Sequence, residues 1–229
     1  MSADNDLLVI TAATSDSGGM LPQYREQLAR AGIPFHIEIM ASPSDASIAT
    51  MLVNLRRRAE QFSQYGRLVM TDAFDVVFFG TKEEVVAKIP LDHVLWGAEK
   101  NCFSDVHLSG PILNRYPDQG PWFFVNGGLL AGTPRAIIDL TLAVEKEKLY
   151  APFFINQTFL NILRASGSEL VEVDYRCELF QCLHLGYPEL EFEKGKMVNT
   201  KWGTRPSFAH ANGGWSPAEM WEKYQRSML

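Results

Sequence analysis

The sequence lacks the features that mark nucleic-acid-binding and membrane-spanning proteins. Its 229 residues carry a formal net charge of −6, and the longest basic run is Arg56 to Arg58, so we expect no nucleic-acid partner. There is no run of 18 apolar residues, and we therefore expect no membrane span. Met1 to Asp6 is polar and acidic, and the apolar run after it is short, so we expect no signal peptide.

Cysteine is also scarce, and the common nucleotide-binding loops are missing. Cys102, Cys177 and Cys182 are odd in number and lack the spacing of zinc ligands. We expect free, buried thiols in a reducing compartment, and hence a cytoplasmic location. There is no Gly-x-Gly-x-x-Gly after the first strand and no Walker loop, which disfavours a dinucleotide cofactor or P-loop chemistry.

Apolar periodicity and turn residues predict an α/β protein. We expect strands at Leu7 to Ala13, Phe35 to Met40, Leu68 to Thr71, Val94 to Ala98, Trp122 to Ala131, Leu170 to Tyr175 and Ser207 to His210. We expect helices at Leu21 to Ala31, Ser47 to Gln64, Thr81 to Lys88, Pro134 to Lys148, Phe153 to Ala165 and Ser216 to Arg226. The other long stretches read as a loop at Lys100 to Pro121, a helical turn at Glu178 to His184 and irregular chain at Glu191 to Arg205. The alternation in the first half implies a parallel, Rossmann-like sheet.

Two carboxylates, Asp72 and Asp75, follow the apolar strand that ends at Thr71. Open α/β sheets bind ligands at the carboxyl ends of their strands. Residues three apart in a continuous strand face opposite sides, so both carboxylates can meet one ion only if the chain turns directly after Asp72. One or two carboxylates plus substrate phosphates is the usual way to bind Mg²⁺ or Mn²⁺. The alternative is a helix cap or a salt-bridged turn.

His210 ends a short apolar strand and is followed by the turn residues Ala-Asn-Gly-Gly. The glycines after Asn212, beginning with Gly213, could let the backbone approach a phosphate closely. An imidazole that completes the carboxylate pair would favour Mn²⁺ over Mg²⁺. A purely structural histidine is the alternative.

Two further polar groups interrupt apolar segments. Asn126, Gly127 and Gly128 break a strand, where glycines mark either the close approach of a ligand or a simple bulge. Asn156 and Gln157 lie in an otherwise apolar helix, where they could face a cleft or form a solvated surface.

These stretches, taken in order, resemble the metal-dependent glycosyltransferase domain of procollagen lysyl hydroxylases. The shared pattern is strand-Thr-Asp-x-x-Asp, Asn-Gly-Gly, a polar-Gln helix and His-x-Asn-Gly, and it runs from Thr11 to Gly213; Val173 to Gln181 is particularly close. The chain is more distantly similar to the retaining glycosyltransferase family 8, which includes glycogenin. The resemblance implies an α/β GT-A fold, with a Rossmann-like mixed central sheet flanked by helices. It implies a single domain over 1–229, with a nucleotide-binding half at 1–100 and an acceptor half with the C-terminal metal ligand at 101–229.

The resemblance also implies a role for each matching residue. Asp72, Asp75 and His210 match the ligands of a divalent metal, Mn²⁺ typically and Mg²⁺ alternatively. The positions expected to bind the substrate UDP-sugar are Thr11, Ala12, Thr14, Phe74 (against the uracil), Asn126, Gly127, Gly128, Asn212 and Gly213. Those expected to shape the acceptor side, with the loop 101–121, are Glu99, Phe103 and Trp122. Gln157 matches the Gln of an Asp-Gln pair near the transferred sugar, and Asn156 replaces its Asp.

The expected function is therefore metal-dependent transfer of a hexose, with glucose or galactose favoured, from a UDP-sugar to a hydroxyl of a glycan or protein. Retention is favoured, since inversion would need a carboxylate base, for which Glu99, Asp105 and Asp118 are candidates. Asn156 favours an alternative, a catalytically inactive sugar-nucleotide or glycan-binding domain. A metal-dependent phosphohydrolase or nucleotidyltransferase is disfavoured, because the first strand ends without an Asp-x-Asp.

Overall fold

The computed structural model describes residues 5–40, 48–102, 106–147, 156–184, 189–213 and 217–228. The strands in these ranges are β1 (Leu7–Ala13), β2 (Phe35–Ile39), β3 (Arg67–Thr71), β4 (Val76–Phe78), β5 (Leu95–Glu99), β6 (Phe124–Gly132), β7 (Glu172–Val173), β8 (Phe180–Cys182), β9 (Leu190–Glu193), β10 (Lys196–Asn199) and β11 (Phe208–His210). The helices are α1 (Leu21–Arg30), α2 (Ile48–Gln61), α3 (Lys82–Lys88), α4 (Ser109–Arg115), α5 (Pro134–Glu147), α6 (Asn156–Ser166) and α7 (Pro217–Ser227). None of these helices is long and apolar enough to cross a membrane.

A six-stranded mixed sheet forms the centre, in the order β2-β1-β3-β6-β5-β7. β1 runs parallel to β2 and β3, as the alternation of the first half predicts. β6 enters antiparallel between β3 and β5. This antiparallel strand brings Asn126 to Gly128 beside the carboxyl end of β3, where the Asp72 N–H donates to the Gly128 carbonyl at 2.8 Å. The mixed sheet confirms the expected fold class.

The core lies on both faces of this sheet because β1 buries both of its faces. Leu8 and Ile10 belong to one cluster, together with apolar side chains of α2, α5 and α6. Leu7 and Val9 belong to the other, which includes α1. Successive strand residues point to opposite faces, and a strand that is covered on both sides reads as a continuous apolar run.

A second, three-stranded sheet has the order β4-β11-β8. In β11, His210 pairs with Val76 of the antiparallel β4 and with Cys182 of the parallel β8. Because β4 begins directly after Asp75, this pairing sets His210 beside the two carboxylates that follow β3.

Two stretches differ from the expectation because their elements are short. The loop expected at Lys100 to Pro121 contains α4, whose seven residues bury only Ile112, too few to produce a visible period. The helical turn expected at Glu178 to His184 is wrong, since β8 lies there. All three residues of β8 are buried, so the strand shows no alternation.

The expectation of irregular chain at Glu191 to Arg205 is also wrong. β9 and β10 form an antiparallel hairpin there. Its turn residues, Lys194 and Gly195, have φ of 49° and 75°, as a two-residue type I′ turn requires. β4, of three residues, was not expected. The first part of the helix expected from Phe153 falls outside the described residues, and α6 is described from Asn156.

Candidate functional site

Asp72, Asp75 and His210 converge where β3, β4 and β11 meet. β3 ends at Thr71 and β4 starts at Val76, so the two carboxylates share one turn. Nε2 of His210 lies 3.2 Å from Oδ2 of Asp72 and 3.2 Å from Oδ2 of Asp75. One ligand atom from each of the three residues lies within 4.8 Å of the others. The turn that a shared ion would need is therefore present.

Asn126 sets the orientation of the His210 ring. Its side-chain oxygen lies 3.1 Å from Nδ1 of His210 and also accepts the Gly128 N–H at 3.1 Å. Because this oxygen accepts from a backbone N–H, it faces the imidazole as an acceptor, and Nδ1 carries the proton. Nε2 is then left to face the two carboxylates, the arrangement in which histidines ligate metals.

The electrostatics of the cluster favour a positive charge at Nε2. His210 is 3% exposed, and burial alone would lower its pKa, but hydrogen bonds to Asp72 and Asp75 raise that pKa well above its ordinary value. Desolvation by the surrounding atoms opposes the effect, yet the hydrogen bond and charge of His210 hold the pKa of Asp72 below its ordinary value. The two carboxylates thus stabilise either a proton or a metal ion at this nitrogen.

The residues present fit a divalent metal. A Cβ on Gly128 would lie 2.2 Å from Oδ2 of Asp72 and 2.8 Å from Cε1 of His210, so only glycine leaves the ligands their space. The side chains of Asp72 and Asp75 are 56% and 37% exposed, whereas that of His210 is 4% exposed. The histidine closes the back of the site, and the carboxylates leave its front open to a ligand.

Glu99, at the end of β5, is the centre of a buried network of amides. It is 2% exposed and accepts hydrogen bonds from Asn126 at 3.3 Å, from Asn212 at 2.5 Å and from Nε2 of Gln157. Burial raises the pKa of Glu99 to about 7, although the amides and the charge of His210 oppose the shift. One carboxyl group therefore ties together β5, β6, α6 and the turn after β11.

Two cavities meet at the carboxylates. The first, the metal cavity, has a volume of about 240 Å³. Its lining residues that the sequence predicted are Asp72, Asp75, Glu99, Asn126, Gly128, Gln157, His210, Asn212 and Gly213. The second, the α2 cavity, has about 200 Å³ and lies between α2 and the ends of β1 and β3. Asp72 and Gly128 line both cavities, and Ala12 and Gly127 line the second.

Several other predicted residues line neither cavity. Thr11 is buried and donates to the Thr71 carbonyl at 2.8 Å, so it ties β1 to β3. Thr14 is exposed beyond β1. Phe74 is half-buried, and its ring lies close to Gly18. The nucleotide-binding roles of these three residues stay predictions.

The structure corrects one of the residues expected on the acceptor side and does not describe others. Trp122 is fully buried in the core, with the Lys100 ammonium 4.8 Å from its ring, so the expected acceptor-side position is corrected. Phe103 and Asp105 fall outside the described residues, as does the side chain of Asn156. Gln157 lines the metal cavity and accepts the N–H of Gly127, which lines the α2 cavity, at 3.1 Å.

Sequence reasoning missed His184, which lines the metal cavity. It follows β8 by two residues, and β8 pairs with β11, the strand that carries His210. The signal that could have found it is a polar residue just past the carboxyl end of a strand, but β8 was not expected.

Residues 3–219 match the family model described as the PLOD GT domain. The relatives include an uncharacterized protein of Acanthamoeba polyphaga mimivirus, 25% identical over 151 residues, which are 64% of this chain and 31% of that protein. Procollagen-lysine,2-oxoglutarate 5-dioxygenase of Drosophila melanogaster is 27% identical over 156 residues, 64% of this chain and 21% of the relative. Procollagen-lysine,2-oxoglutarate 5-dioxygenase 2 of Mus musculus is 26% identical over 172 residues, 69% and 22% of the two chains. The chain thus spans less than a third of the length of these relatives.

Two solved structures show the same fold. A glycosyltransferase involved in the glycosylation of the major capsid of PBCV-1 aligns with a TM-score of 0.56 at 15% identity, over 96% of this chain and 99% of that one. The WbbM bifunctional glycosyltransferase aligns with a TM-score of 0.53 at 12% identity, over 100% of this chain and 50% of that one. Together with the mixed six-stranded sheet, these likenesses identify a GT-A fold.

Proposed function

Because the chain belongs to the PLOD GT domain family of glycosyltransferases, we propose that it moves a hexose from a UDP-sugar to a hydroxyl of a glycan or protein, with retention. Glucose and galactose are the favoured sugars. The observation that carries the proposal is the position of Asp72, Asp75 and His210, which could hold a metal where the metal cavity and the α2 cavity meet. A sugar nucleotide needs such a junction, with a base on one side and a sugar on the other.

Asp72, Asp75 and His210 would hold Mn²⁺, with Mg²⁺ as the alternative, because an imidazole ligand suits the softer ion. The bound ion supplies Lewis-acid neutralisation of the diphosphate as the glycosidic bond breaks. Asn126 holds the imidazole in the ligating tautomer, and Gly128 keeps the space between Asp72 and His210 open.

We place the nucleoside in the α2 cavity, whose walls combine apolar side chains with a few polar groups, as is usual for ligand sites. Its apolar walls include Ile10 and Leu130, and its polar groups include Asn54 and Arg58. Arg58 is itself paired with Glu38 at 2.7 Å, which fixes it as part of the wall. Phe74 does not line this cavity, so its predicted contact with the uracil would lie beyond the cavity wall.

We place the sugar in the metal cavity, beside Gln157. In transfer, the bond between the anomeric carbon and the diphosphate oxygen breaks, and its electron pair stays on the diphosphate. The acceptor oxygen forms the new bond to the anomeric carbon from the same face, and its proton passes to the departing diphosphate oxygen. The side chain of Gln157 is held at both ends, by Glu99 and by the Gly127 N–H, so it is pre-oriented for the reacting sugar.

The burial and the hydrogen bonds of Glu99 support transfer with retention over transfer with inversion. An inverting enzyme needs a carboxylate that can take the proton of the acceptor. Both oxygens of Glu99 already accept amide hydrogen bonds, and the residue is 2% exposed. Of the other candidate bases, Asp118 lies in the turn Pro117–Gln119 and lines neither cavity.

The relatives support a protein or glycan acceptor. Two are named for procollagen lysine, and one solved neighbour is described as acting in the glycosylation of a viral capsid. We further propose a reducing, cytoplasmic compartment, since Cys102, Cys177 and Cys182 are buried and none of the three is in a disulfide.

The second candidate function is a catalytically inactive domain that binds sugar nucleotides or glycans. Asn156 favours it, because the resemblance expects an aspartate at this position beside the transferred sugar. An amide lacks the negative charge that would stabilise a positively charged sugar at the anomeric centre.

The test is a donor screen on the purified chain, using UDP-glucose, UDP-galactose, UDP-N-acetylglucosamine and GDP-mannose with Mn²⁺. We expect Mn²⁺-dependent release of UDP from a UDP-hexose, and its loss in Asp72→Ala/Asp75→Ala. Asp92→Ala/Asp139→Ala, which removes two acidic side chains outside both cavities, is the matched control and keeps the activity. Binding without release would favour the inactive domain. If no sugar nucleotide is bound or hydrolysed, the proposal is overturned.

A further inference from the structure

The metal cavity has an unusual balance of charge for a diphosphate site. Three carboxyl groups line it, from Asp72, Asp75 and Glu99. No lysine or arginine lines it among the residues that the structure describes. A diphosphate has only acceptor oxygens and carries negative charge, so the cavity must supply hydrogen-bond donors beyond the metal.

Most side chains that line the metal cavity and can donate a hydrogen bond already have an acceptor. Asn126, Gln157 and Asn212 direct their amide N–H groups at Glu99. His210 faces Asn126 on one nitrogen and the two aspartates on the other. Within the described part of the chain, this leaves the imidazole of His184 as the lining side chain whose ring makes no hydrogen bond or ion pair.

His184 is tied firmly to the strand of the metal ligand. The side-chain oxygen of Asn212 accepts the backbone N–H of Leu183 and of His184, both at 3.2 Å. Leu183 also donates to the carbonyl of His210 at 3.0 Å. The imidazole is therefore carried by the same hydrogen-bonded unit that positions His210.

The packing of the His184 ring on Gly213 determines which ring nitrogen is available to a ligand. A Cβ at this glycine would lie 2.1 Å from Nδ1 of His184, so the ring packs directly on the glycine backbone. Nδ1 is buried and has no hydrogen-bond partner. A proton on Nδ1 would be buried without an acceptor, so Nε2 is the ring nitrogen that is placed to donate.

We propose that His184 is a diphosphate-binding residue, which donates from Nε2 to the sugar-bearing phosphate of the nucleotide, both in the UDP-sugar and in the UDP product. The assignment rests on the proposed function. The metal cavity would hold the phosphate that is bonded to the sugar, and this phosphate is therefore the one assigned to His184. Neither the sequence patterns nor the family resemblance singled out this residue.

The test is calorimetric titration of UDP and of UMP into the protein with Mn²⁺. His184→Phe keeps a flat ring but removes the donor, and His184→Gln keeps an N–H near the position of Nε2. We expect His184→Phe to weaken UDP binding about 10-fold, the cost of a lost hydrogen bond to a charged group, and to leave UMP binding unchanged. His184→Gln should recover most of the UDP affinity. His93→Phe, outside both cavities, is the matched control, and His184→Ala replaces His184→Phe if the latter does not fold.

The outcomes separate this inference from the proposed function. If the unsubstituted protein binds no UDP in the presence of Mn²⁺, both are overturned. If it binds UDP and His184→Phe binds it equally well, the role of His184 alone is overturned. A loss shared equally by UDP and UMP also overturns it, since a general disturbance of the site, and not the sugar-bearing phosphate, would then explain the effect.

Discussion

Nδ1 of His210 lies 3.1 Å from the side-chain oxygen of Asn126, which precedes it by 84 residues. The contact exists because β6 enters the sheet antiparallel to β3 and brings its Asn-Gly-Gly segment to the end of that strand. The same asparagine donates to Glu99. This segment, which lies at a register shift between β5 and β6, thus orients the candidate metal ligand His210 and supports the network behind it.

Asn126→Ala should therefore weaken metal binding without removing a ligand. Loss of the partner that orients a ligating histidine typically costs about 10- to 100-fold in metal affinity. We expect a loss of this size for Mn²⁺, measured by the electron paramagnetic resonance signal of the free ion. The control is Asn114→Ala, at an exposed position of α4, which should bind Mn²⁺ normally. Equal affinities in the two variants would refute the orienting role of Asn126.

Gly128→Ala should disrupt the metal site by direct contact. The added Cβ would lie 2.2 Å from Oδ2 of Asp72, so the carboxylate must leave its position beside His210. We expect Mn²⁺ affinity and Mn²⁺-dependent UDP binding to fall at least about 10-fold, by the same reasoning on displaced ligands.

The matched substitution is Gly110→Ala, where the added Cβ meets no atom within 4 Å. It lies in the first turn of α4 and lines neither cavity, so it should leave Mn²⁺ binding intact. Isothermal titration measures the Mn²⁺ affinity of both variants. A Gly128→Ala protein that binds Mn²⁺ as tightly as Gly110→Ala would contradict the geometry of the site.

Glu99 should make stability depend on pH. Burial raises its pKa from 4.5 to about 7, so between these values the folded protein holds a proton that the unfolded chain has released. The corresponding stabilisation is full below about pH 4.5 and is lost as pH rises through 7, at up to about 1.4 kcal/mol per pH unit.

Urea denaturation with a chelator at pH 5, 6 and 7 checks this, with Glu99→Gln as the reference that cannot titrate. The free energy of unfolding of the unsubstituted protein, minus that of Glu99→Gln, should fall by at least about 1 kcal/mol from pH 5 to pH 7. A difference that stays constant or grows over this range would show that the carboxyl group is ionised throughout.

Much of the fold could be predicted from the sequence because its long strands and helices show clear patterns of apolar residues. β1, β3 and α5 lie within one residue of the expected positions. The elements that were missed, such as β4 and β8, are three buried residues each, and such runs show neither alternation nor a helical period.

Some residues of the candidate site could likewise be predicted from the sequence, and others could not. Asp72 and Asp75 could be proposed as a metal-binding pair because two carboxylates at a strand end have a chemical use, and the structure brings both to His210. The role of Glu99 could not, because its three amide partners lie 27, 58 and 113 residues away and meet it only through the sheet. His184 was missed because its position follows from the pairing of β8 with β11. Trp122 was expected to help shape the acceptor side, yet the fold buries it.

We propose that Asp72, Asp75 and His210 hold the metal that binds the diphosphate of a sugar nucleotide. An anomalous difference map from crystals grown with MnCl₂ and UDP would locate this metal. We expect one strong manganese peak between these three side chains, in contact with the diphosphate, with the uridine extending into the α2 cavity. UDP bound with no manganese at this cluster, or manganese bound elsewhere in the chain, would contradict it.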